Sequence, residues 1–358
     1  MNQKTNIESL QHIVHLLKTR ELHAKYSGLI DIKTHASGQL VLLNYTEECQ
    51  QQGAWDEVTR HCRGLIIDTQ SWKVVALPFS KFFNLNEQTE STLEALPREA
   101  FSVYEKLDGS LGISYRHGNK IALATRGAFN SSQAIQGTDF LNQQLNTAHI
   151  PENLTCLFEI IISSQNCVSH YAFDGLILLS AFDHFTGHEL DWAEVIQLAD
   201  KLGCKTATVF PFGSLDETIA SRAKLPATFE GYVIRFESGL RVKLKGDAYL
   251  ALNKIASGLT NARILAALAD GSIDSFRREI PEEFIDDVAA SIENFAREAA
   301  RIEAQVDAYF ALSPSNGDRK IYAHWVQANV PKEFHPSMFR KISRQKINWF
   351  RELQILNG

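Results

Sequence analysis

The sequence predicts an α+β protein in which antiparallel sheets with flanking helices are followed by an all-helical part. Short alternating or β-rich runs dominate residues 29–250, and Gly, Asn, Asp or Ser separates most of them. After residue 250 the strand patterns end, and apolar residues recur every three to four positions. We therefore expect two domains, 1–253 and 254–358, which suits a chain of 358 residues with 44% apolar content.

The β-rich part is expected to open with a helix, because apolar residues keep helical spacing over residues 7–22. Eight β-rich segments follow: LVLLNY, GLIID, VVALPF, FSVYEK, GISYRH, KIALATR, GYVIRF and LRVKLK. Turn residues at 117–119 and 237–239 predict two hairpins among them. Helices are expected to interrupt the strands over residues 132–146 and 192–202.

The second part is predicted to contain one long helix, because apolar residues keep helical spacing over residues 284–310. A loop is expected at 313–317, where Ser, Pro, Asn and Gly cluster. The last segment carries eight cations: Arg319, Lys320, Lys332, Arg340, Lys341, Arg344, Lys346 and Arg351. This basic segment either binds RNA phosphates or is an ordinary solvated helical surface, and the sequence leaves both open.

Composition argues against several classes of protein. The formal charge of −6 does not fit a uniformly basic nucleic-acid coat. The sequence has no cleavable leader and no membrane-spanning run, so neither export nor membrane spanning is expected, and it has no zinc-site spacing and no P-loop. An odd number of unpaired cysteines predicts reduced thiols in a cytoplasmic protein: Cys49, Cys62, Cys156, Cys167 and Cys204. We also expect a monomer.

The most informative short motif is Lys-x-Asp-Gly, formed by Lys106, Asp108 and Gly109 within EKLDGSL. Taken alone the motif is weak, because a strand that ends in an Asp-Gly turn has the same pattern. Its weight depends on features elsewhere in the β-rich part.

Three cations accompany this motif along the sequence. Arg63 lies in HCRGLIID, Lys81 in PFSKFFNLNE, and Arg126 in ATRG, the segment that closes the first hairpin. Each residue alone could be an ordinary surface charge beside core phenylalanines.

Two carboxylates and two further lysines complete the set. Glu159 interrupts the apolar run of LFEIIISS, where an unpaired buried carboxylate would cost several kcal/mol, so it lies either on a wet strand face or against a partner. Glu230 precedes the second hairpin. Lys243 and Lys245 are two residues apart on its return strand and therefore leave the same face.

Five cations around one lysine, with two carboxylates, suit a polyphosphate site. A lysine ammonium is protonated at neutral pH and cannot attack phosphorus, whereas clustered positive charge and partial desolvation favour the neutral amine. The same cations can hold phosphate through charge-assisted hydrogen bonds.

In this order, the motifs resemble those of the covalent nucleotidyltransferases: RNA ligases, DNA ligases and capping enzymes. KFFNLNE, EKLDGSL, FE, EGYV and VKLK closely resemble the RNA ligase 1 family of T-even bacteriophage over residues 62–249. The resemblance implies antiparallel sheets flanking a nucleotide cleft. It also implies ATP as a substrate and Mg²⁺ or Mn²⁺ as a cofactor.

The resemblance also implies a role for each matched residue. Lys106 would attack the α-phosphorus of ATP and form lysyl-AMP. Asp108, Glu159 and Glu230 would hold the metal, directly or through water. The nucleotide would be bound by Arg63, Lys81, Phe83, Glu105, Asp108, Gly109, Arg126, Glu159, Glu230, Lys243, Lys245 and, with a weaker match, Tyr249. Arg126 stands where the phage protein has a lysine. The resemblance therefore implies the same positive charge at this position, but not the same contact geometry.

The implied activity joins RNA 5′-phosphate and 3′-hydroxyl ends, as in repair of nicked tRNA. A DNA ligase or capping enzyme is the alternative enzyme, although such proteins normally continue after the VKLK strand into an all-β OB domain. A catalytically silent RNA-binding or nucleotide-sensing protein of the same fold is the alternative from another class.

Overall fold

The chain divides into two units, Met1–Asn253 and Lys254–Gly358. The computed structural model describes residues 7–163, 169, 171–256, 258–278, 280, 284–314 and 318–356. The strands of the first unit are β1 (Ile30–Thr34), β2 (Leu40–Tyr45), β3 (Arg63–Asp68), β4 (Lys73–Ala76), β5 (Phe83–Asn84), β6 (Phe101–Lys106), β7 (Ser110–His117), β8 (Lys120–Ala124), β9 (Leu154–Ile161), β10 (Gly175–Asp183), β11 (Lys205–Thr206), β12 (Val209–Phe210), β13 (Gly231–Phe236) and β14 (Arg241–Lys245).

Helices flank these strands and continue to the C-terminus. In chain order they are α1 (Ile7–Lys18), α2 (Glu21–Lys25), α3 (Glu47–Gln51), α4 (Glu57–His61), α5 (Ser132–Gln144), α6 (Trp192–Leu202), α7 (Leu215–Ser221), α8 (Asp247–Ala256), α9 (Asn261–Asp270), α10 (Ile273–Arg278), α11 (Ile285–Leu312), α12 (Arg319–Asn329), α13 (His335–Ile342) and α14 (Trp349–Leu356). The predicted α+β class is therefore confirmed.

The strands form three sheets. Their orders are β1-β2-β3-β4, β11-β10-β9-β7-β8 and β12-β6-β13-β14-β5. All pairings are antiparallel except β10 with β11 and β14 with β5, each of which joins only two residue pairs. Such short parallel pairings leave no alternating pattern in a sequence, so only the antiparallel part was predictable.

The sheet that contains β9 has two different faces. Phe158 and Ile160 point toward α5 and α6 and pack in a core with Leu141 and Leu198. Because side chains alternate along a strand, Glu159 emerges from the opposite face. The apolar run of β9 therefore reflects a strand buried on both sides, and its carboxylate belongs to the face away from the helices.

The sheet that contains β6, β13 and β14 is also two-sided. Val103, Tyr232, Ile234, Val242 and Leu244 are buried on one face in a common core. The alternate residues of the same strands, including both lysines of β14, therefore occupy the other face.

Both predicted hairpins are present, with His117 opposite Lys120 and Arg235 opposite Arg241. The single helix predicted over residues 7–22 is instead divided into α1 and α2. The division occurs at Arg20, whose left-handed backbone (φ 64°) cannot continue a right-handed helix.

The second unit is helical over its described residues, and its long helix α11 covers the predicted span. Ile302 and Val306 of α11 pack in one core with Val326, Met338 and Leu353.

Part of the predicted loop, residues 315–317, lies outside the described residues, as does Cys167. The other four cysteines are free. Within the described ranges, no helix is both long and apolar enough to cross a membrane.

Candidate active site

The central strands of the third sheet align side chains in three rows on one face. The registers of β6, β13 and β14 define these rows. They are Lys106, Gly231 and Lys245; then Tyr104, Val233 and Lys243; then Ser102, Arg235 and Arg241. Successive rows are two residues apart, or about 6.7 Å along the strands. The sheet thus places the motif lysine beside both lysines of β14.

Glu230 joins the first row into an ion-pair bridge. Its Oε2 lies 2.7 Å from the Nζ atom of Lys106, and its Oε1 lies 3.1 Å from the Nζ atom of Lys245. The Glu230 side chain is only 5% exposed, so solvent screens these pairs weakly. The bridge therefore fixes the position of the Lys106 amine.

A cavity of about 240 Å³ lies over these rows. Residues from all three sheets line it: Lys106 and Lys243 come from the third sheet, Glu159 comes from β9, and Arg63 comes from β3. Further lining residues that bear on the chemistry are Phe82, Glu105 and Gly109. The structure thus brings together residues that are up to 180 positions apart in sequence, since 243 − 63 = 180.

Lys81, Phe83 and Arg126 lie behind this cavity rather than on its lining. The Nζ atom of Lys81 is 5.4, 5.0 and 5.0 Å from the ring centres of Tyr45, Trp55 and Phe83. Arg126 stacks on Tyr45 at 4.8 Å and donates a hydrogen bond to its hydroxyl. These residues form an aromatic and cationic layer around Tyr45.

Burial and like charge lower the pKa of several cations in this layer. Burial is the main cause for Lys81, whose pKa falls to about 7, and Arg63 and Arg126 lower it further. Burial also lowers the pKa of Lys243 well below its usual value, with added repulsion from Lys81 and Arg63. Arg63 Nη1 is buried with no hydrogen-bond partner among the described residues. A bound polyphosphate would satisfy this donor and neutralise the repulsion.

The turn after Lys106 is held by contacts from the segment that follows β9. The backbone N–H of Asp108 donates to the hydroxyl of Tyr171 at 2.9 Å, and the N–H of Ser169 donates to the Asp108 carboxylate at 3.3 Å. Gly109 approaches β9 so closely that an added Cβ would lie 2.6 Å from the carbonyl oxygen of Ile160. Only glycine therefore fits at this position without a backbone shift.

Gly109→Ala is expected to displace this turn, because the obstructing atom belongs to the backbone and cannot move independently. We expect a loss of about 2 kcal/mol in the free energy of unfolding and about a hundredfold loss of self-adenylation. Thermal melting and a labelling assay measure the two effects. Gly127→Ala is the matched control, because its Cβ would meet nothing nearer than Asn44 Nδ2 at 3.9 Å. Equal behaviour of both variants would contradict the steric account.

Glu159 has an electrostatic environment that favours its protonated form. Burial raises its pKa to about 8, and the negative charges of Glu230 and Asp108 raise it while Lys106 and Arg63 lower it. The unfolded chain ionises this carboxyl near 4.5. Protonation of Glu159 therefore contributes fully to the free energy of unfolding below about pH 4.5, and this contribution is lost as the pH rises through about 8.

Glu159→Gln should remove this pH dependence, because an amide does not titrate. Between pH 6 and pH 9 we expect the variant to gain about 1 to 2 kcal/mol of stability relative to the parent protein, allowing for partial solvent screening. Denaturant titration at both pH values measures this difference. Glu152→Gln, at an exposed position just before β9, serves as the control. Parallel pH profiles for all three proteins would refute the assignment.

The carboxylates also offer donors suited to a divalent cation. The mutual repulsion of Glu159, Glu230 and Asp108 would be relieved by a hard cation between them, and carboxylate oxygens are the ligands that Mg²⁺ and Mn²⁺ prefer. Within the described residues, however, no three His, Cys, Asp or Glu side chains are already grouped as a metal site. The donor chemistry therefore fits a divalent cation, whereas a complete ligand set is not preformed.

Two further predicted residues lie at the margins of the site. Glu105 accepts a hydrogen bond from the Thr208 hydroxyl at 2.6 Å and contributes to the cavity lining. Tyr249 is buried in α8, with Lys245 5.8 Å from its ring centre, and it is not among the lining residues.

The cavity also contains residues that the sequence did not single out: Phe82, Tyr104, Trp192, Val233, Glu189, Arg235 and Arg241. Strand alternation alone could have identified Tyr104 and Arg241, which lie two residues before Lys106 and Lys243. Glu189 comes from the connection after β10 and Trp192 is the first residue of α6, and no local pattern predicts that they reach the cavity.

Comparisons with known proteins match the part of the chain that lines the cavity. A family model described as RNA ligase matches residues 61–249, more than half of the chain. A protein of Autographa californica nuclear polyhedrosis virus, provisionally named as a bifunctional polynucleotide kinase/RNA ligase, is 25% identical over 272 residues, which are 70% of this chain and 39% of that protein. A provisionally named RNA ligase of Thermovibrio ammonificans is 34% identical over 151 residues, 40% of each protein. The chain thus spans about two fifths of the length of these relatives.

Solved structures support the fold independently. An archaeal ATP-dependent RNA ligase has a TM-score of 0.51 at 14% identity, covering 88% of this chain and 89% of that one. A provisionally named ATP-dependent DNA ligase from Aquifex aeolicus has the same TM-score and identity, covering 92% and 87%. At this identity the likeness establishes the architecture alone. Together with the family match, which covers the three rows and the cavity, it shows that the chain belongs to the RNA ligase family.

Proposed function

We propose that this protein is an ATP-dependent RNA ligase that works through a covalent adenylate on Lys106. The observation that carries this proposal is the position of the Lys106 amine. Glu230, which also pairs with Lys245, holds this amine at the edge of a cavity that also contains Glu159 and Lys243. An amine in this place faces the phosphorus of a nucleotide bound between the two sheets.

The first step forms a bond between Lys106 Nζ and the α-phosphorus and breaks the bond to the β-phosphate, releasing pyrophosphate. The ammonium must first lose a proton, and Glu230 at 2.7 Å is the acceptor in direct contact. Lys243 and Lys245 supply positive charge to the phosphoryl oxygens, and Arg63 offers its unsatisfied donor to the departing phosphates.

In the second step AMP passes to the 5′-phosphate of an RNA end, which forms a 5′–5′ pyrophosphate. In the third step a 3′-hydroxyl displaces AMP and joins the strands. A divalent cation held by Glu159, Glu230 and Asp108 would stabilise charge on the phosphoryl oxygens in these displacements. Mg²⁺ and Mn²⁺ both suit such oxygen donors.

Incubation with α-labelled ATP and Mg²⁺ or Mn²⁺, followed by denaturing electrophoresis, tests the first step. Chasing the labelled protein with 5′-phosphorylated RNA tests the second. We expect label on the protein and then on the RNA. The absence of stable protein label with either metal would refute the covalent mechanism.

The alternative enzymes are separable by substrate. After β14 the described residues form helices and no strands, which disfavours a DNA ligase or capping enzyme with a following OB domain. Parallel reactions with DNA ends and with GTP discriminate these cases.

We propose RNA with 5′-phosphate and 3′-hydroxyl ends, such as nicked tRNA, as the substrate. The free cysteines suit our proposal of a cytoplasmic protein, which we expect to act as a monomer.

We propose that residues 1–253 are the adenylyltransferase domain and that 254–358 bind RNA. The structure separates the C-terminal cations into two groups. Arg340 pairs with the buried Glu352, and Lys341 pairs with Asp307 and lies 5.7 Å from the Phe310 ring centre. Six others are exposed: Arg319, Lys320, Lys332, Arg344, Lys346 and Arg351. Only this exposed set is available for phosphate contacts.

Replacing Arg344, Lys346 and Arg351 together with alanine should weaken RNA binding and lower its salt dependence, because each lost phosphate contact removes about one released counterion. Self-adenylation should be unchanged. Arg340→Ala is the contrasting variant, because it leaves buried Glu352 without its cation and should instead lower stability. Binding titrations at several salt concentrations measure the slope. An unchanged slope in the triple variant would exclude an RNA role for these cations.

A further inference from the structure

A half-buried ion-pair cluster, here called the clamp, lines the cavity two rows away from Lys106. The clamp consists of Ser180, Glu189, Arg235 and Arg241. Arg235 donates to Glu189 Oε2 through Nε at 3.3 Å and through Nη2 at 3.2 Å. Glu189 Oε1 accepts from the Ser180 hydroxyl at 2.7 Å and from Arg241 Nη2. Because Ser180 belongs to β10 and both arginines belong to the third sheet, the clamp links the two walls of the cavity.

The position of the clamp matches the base end of a bound nucleotide. This step rests on the proposed function, which fixes the α-phosphorus at Lys106. Two rows of the sheet correspond to about 13 Å, a span that a nucleoside monophosphate and the side chain of Arg235 cover together. Tyr104, Val233 and Trp192 line the intervening cavity and offer apolar faces for a base. The base edge of a nucleotide bound in this way would therefore point toward Arg235 and Glu189.

The clamp occupies an edge of Arg235 that could otherwise bind guanine. A guanidinium binds the O6 and N7 acceptors of guanine with two parallel N–H groups, and this is the commonest specific arginine–base contact. In Arg235 such a pair, Nε and Nη2, is already bonded to Glu189. Arg241 is similarly engaged, by Glu189 and by the Gly239 carbonyl oxygen at 3.2 Å.

We propose that Glu189 is a specificity-determining residue that favours ATP over GTP by keeping both guanidinium groups away from the base. Selection of this kind works by blocking the contact that a competing ligand needs. Adenine presents an amino group where guanine presents O6, so it gains little from a released guanidinium fork.

The surroundings permit the rearrangement that this proposal requires. Phe79, Phe82, Glu189, Arg235 and Arg241 also line a second cavity of about 410 Å³, so they form a partition between two spaces. A guanidinium released from Glu189 therefore has room to turn toward the nucleotide.

The test compares covalent labelling of the full chain by α-labelled ATP and GTP in single turnover. In Glu189→Ala we expect the ratio of the labelling rate with ATP to that with GTP to fall about tenfold. This factor is near the lower end of the discrimination that one bidentate guanidinium–guanine contact provides. The triple variant Glu189→Leu, Arg235→Leu, Arg241→Leu is the control. It removes all three charges and puts apolar side chains in their place, and proteins often tolerate such a replacement of ion pairs. Because it has no guanidinium at these positions, it should gain no GTP labelling. Glu189→Gln provides a near-isosteric second variant if the alanine protein fails to fold.

The outcomes separate this inference from the proposed function. A lower ratio in Glu189→Ala or Glu189→Gln but not in the triple variant supports the clamp. An unchanged ratio in the single variants, or an equal fall in the triple variant, overturns it while ATP labelling of the parent protein upholds the ligase mechanism. Failure of the parent protein to label with either nucleotide overturns both.

Discussion

Lys106→Ala is expected to form no covalent adenylate, because no other side chain among the described residues holds an amine at the same point of the cavity. Lys106→Arg should fail equally, since a guanidinium stays protonated and is a poor nucleophile. Labelled ATP followed by denaturing electrophoresis measures both variants. Lys120→Ala, an exposed lysine at the far end of the first hairpin, is the control and should label normally.

Both Lys106 variants should still fold, because this side chain is 20% exposed and contributes mainly one ion pair. Retention of label on either variant would show that Lys106 is not the nucleophile that forms the covalent adenylate. Loss of ATP binding along with label would instead indicate that the cavity had collapsed, which a thermal melt detects.

Glu230→Gln is expected to have the second largest effect. The carboxylate contacts the amines of Lys106 and Lys245 at 2.7 and 3.1 Å, so the amide removes a proton acceptor and an ion-pair bridge together. We expect self-adenylation to fall about a hundredfold or more. Breaking two buried ion pairs should also lower stability, by about 3 kcal/mol.

Single-turnover rates across pH distinguish the two consequences for Glu230→Gln. If Glu230 accepts the proton, higher pH should partly restore the variant, because hydroxide from the solvent can then remove the proton instead. Glu237→Gln, an exposed position on the turn of the same hairpin, is the control. If the variant self-adenylates at the normal rate but is less stable, the role of Glu230 is purely structural.

Much of the site was predictable because strand periodicity constrains side-chain direction. Lys243 and Lys245 share a face for this reason, and Val242 and Leu244, which alternate with them, pack in the core. The proposed partners of Lys106 were predictable only through the resemblance of ordered motifs. The registers that place Glu230 and Lys245 beside it depend on long-range strand pairing, which local spacing does not encode.

The parts that were not predicted have physical reasons. Phe83 was expected to support the nucleotide, yet neighbouring Phe82 lines the cavity while Phe83 packs against Lys81 and Trp55. Adjacent identical residues leave opposite sides of an extended chain, and the sequence does not say which side faces the cavity. The clamp was missed because Glu189 enters from a connection with no periodicity.

The most direct test of the central claim is to map the adenylated residue. The protein is incubated with ATP and a divalent cation, digested under conditions that preserve the phosphoramidate bond, and analysed by mass spectrometry. We predict one AMP adduct, on Lys106. An adduct on Lys243, Lys245 or any other residue, or none at all, would contradict the account.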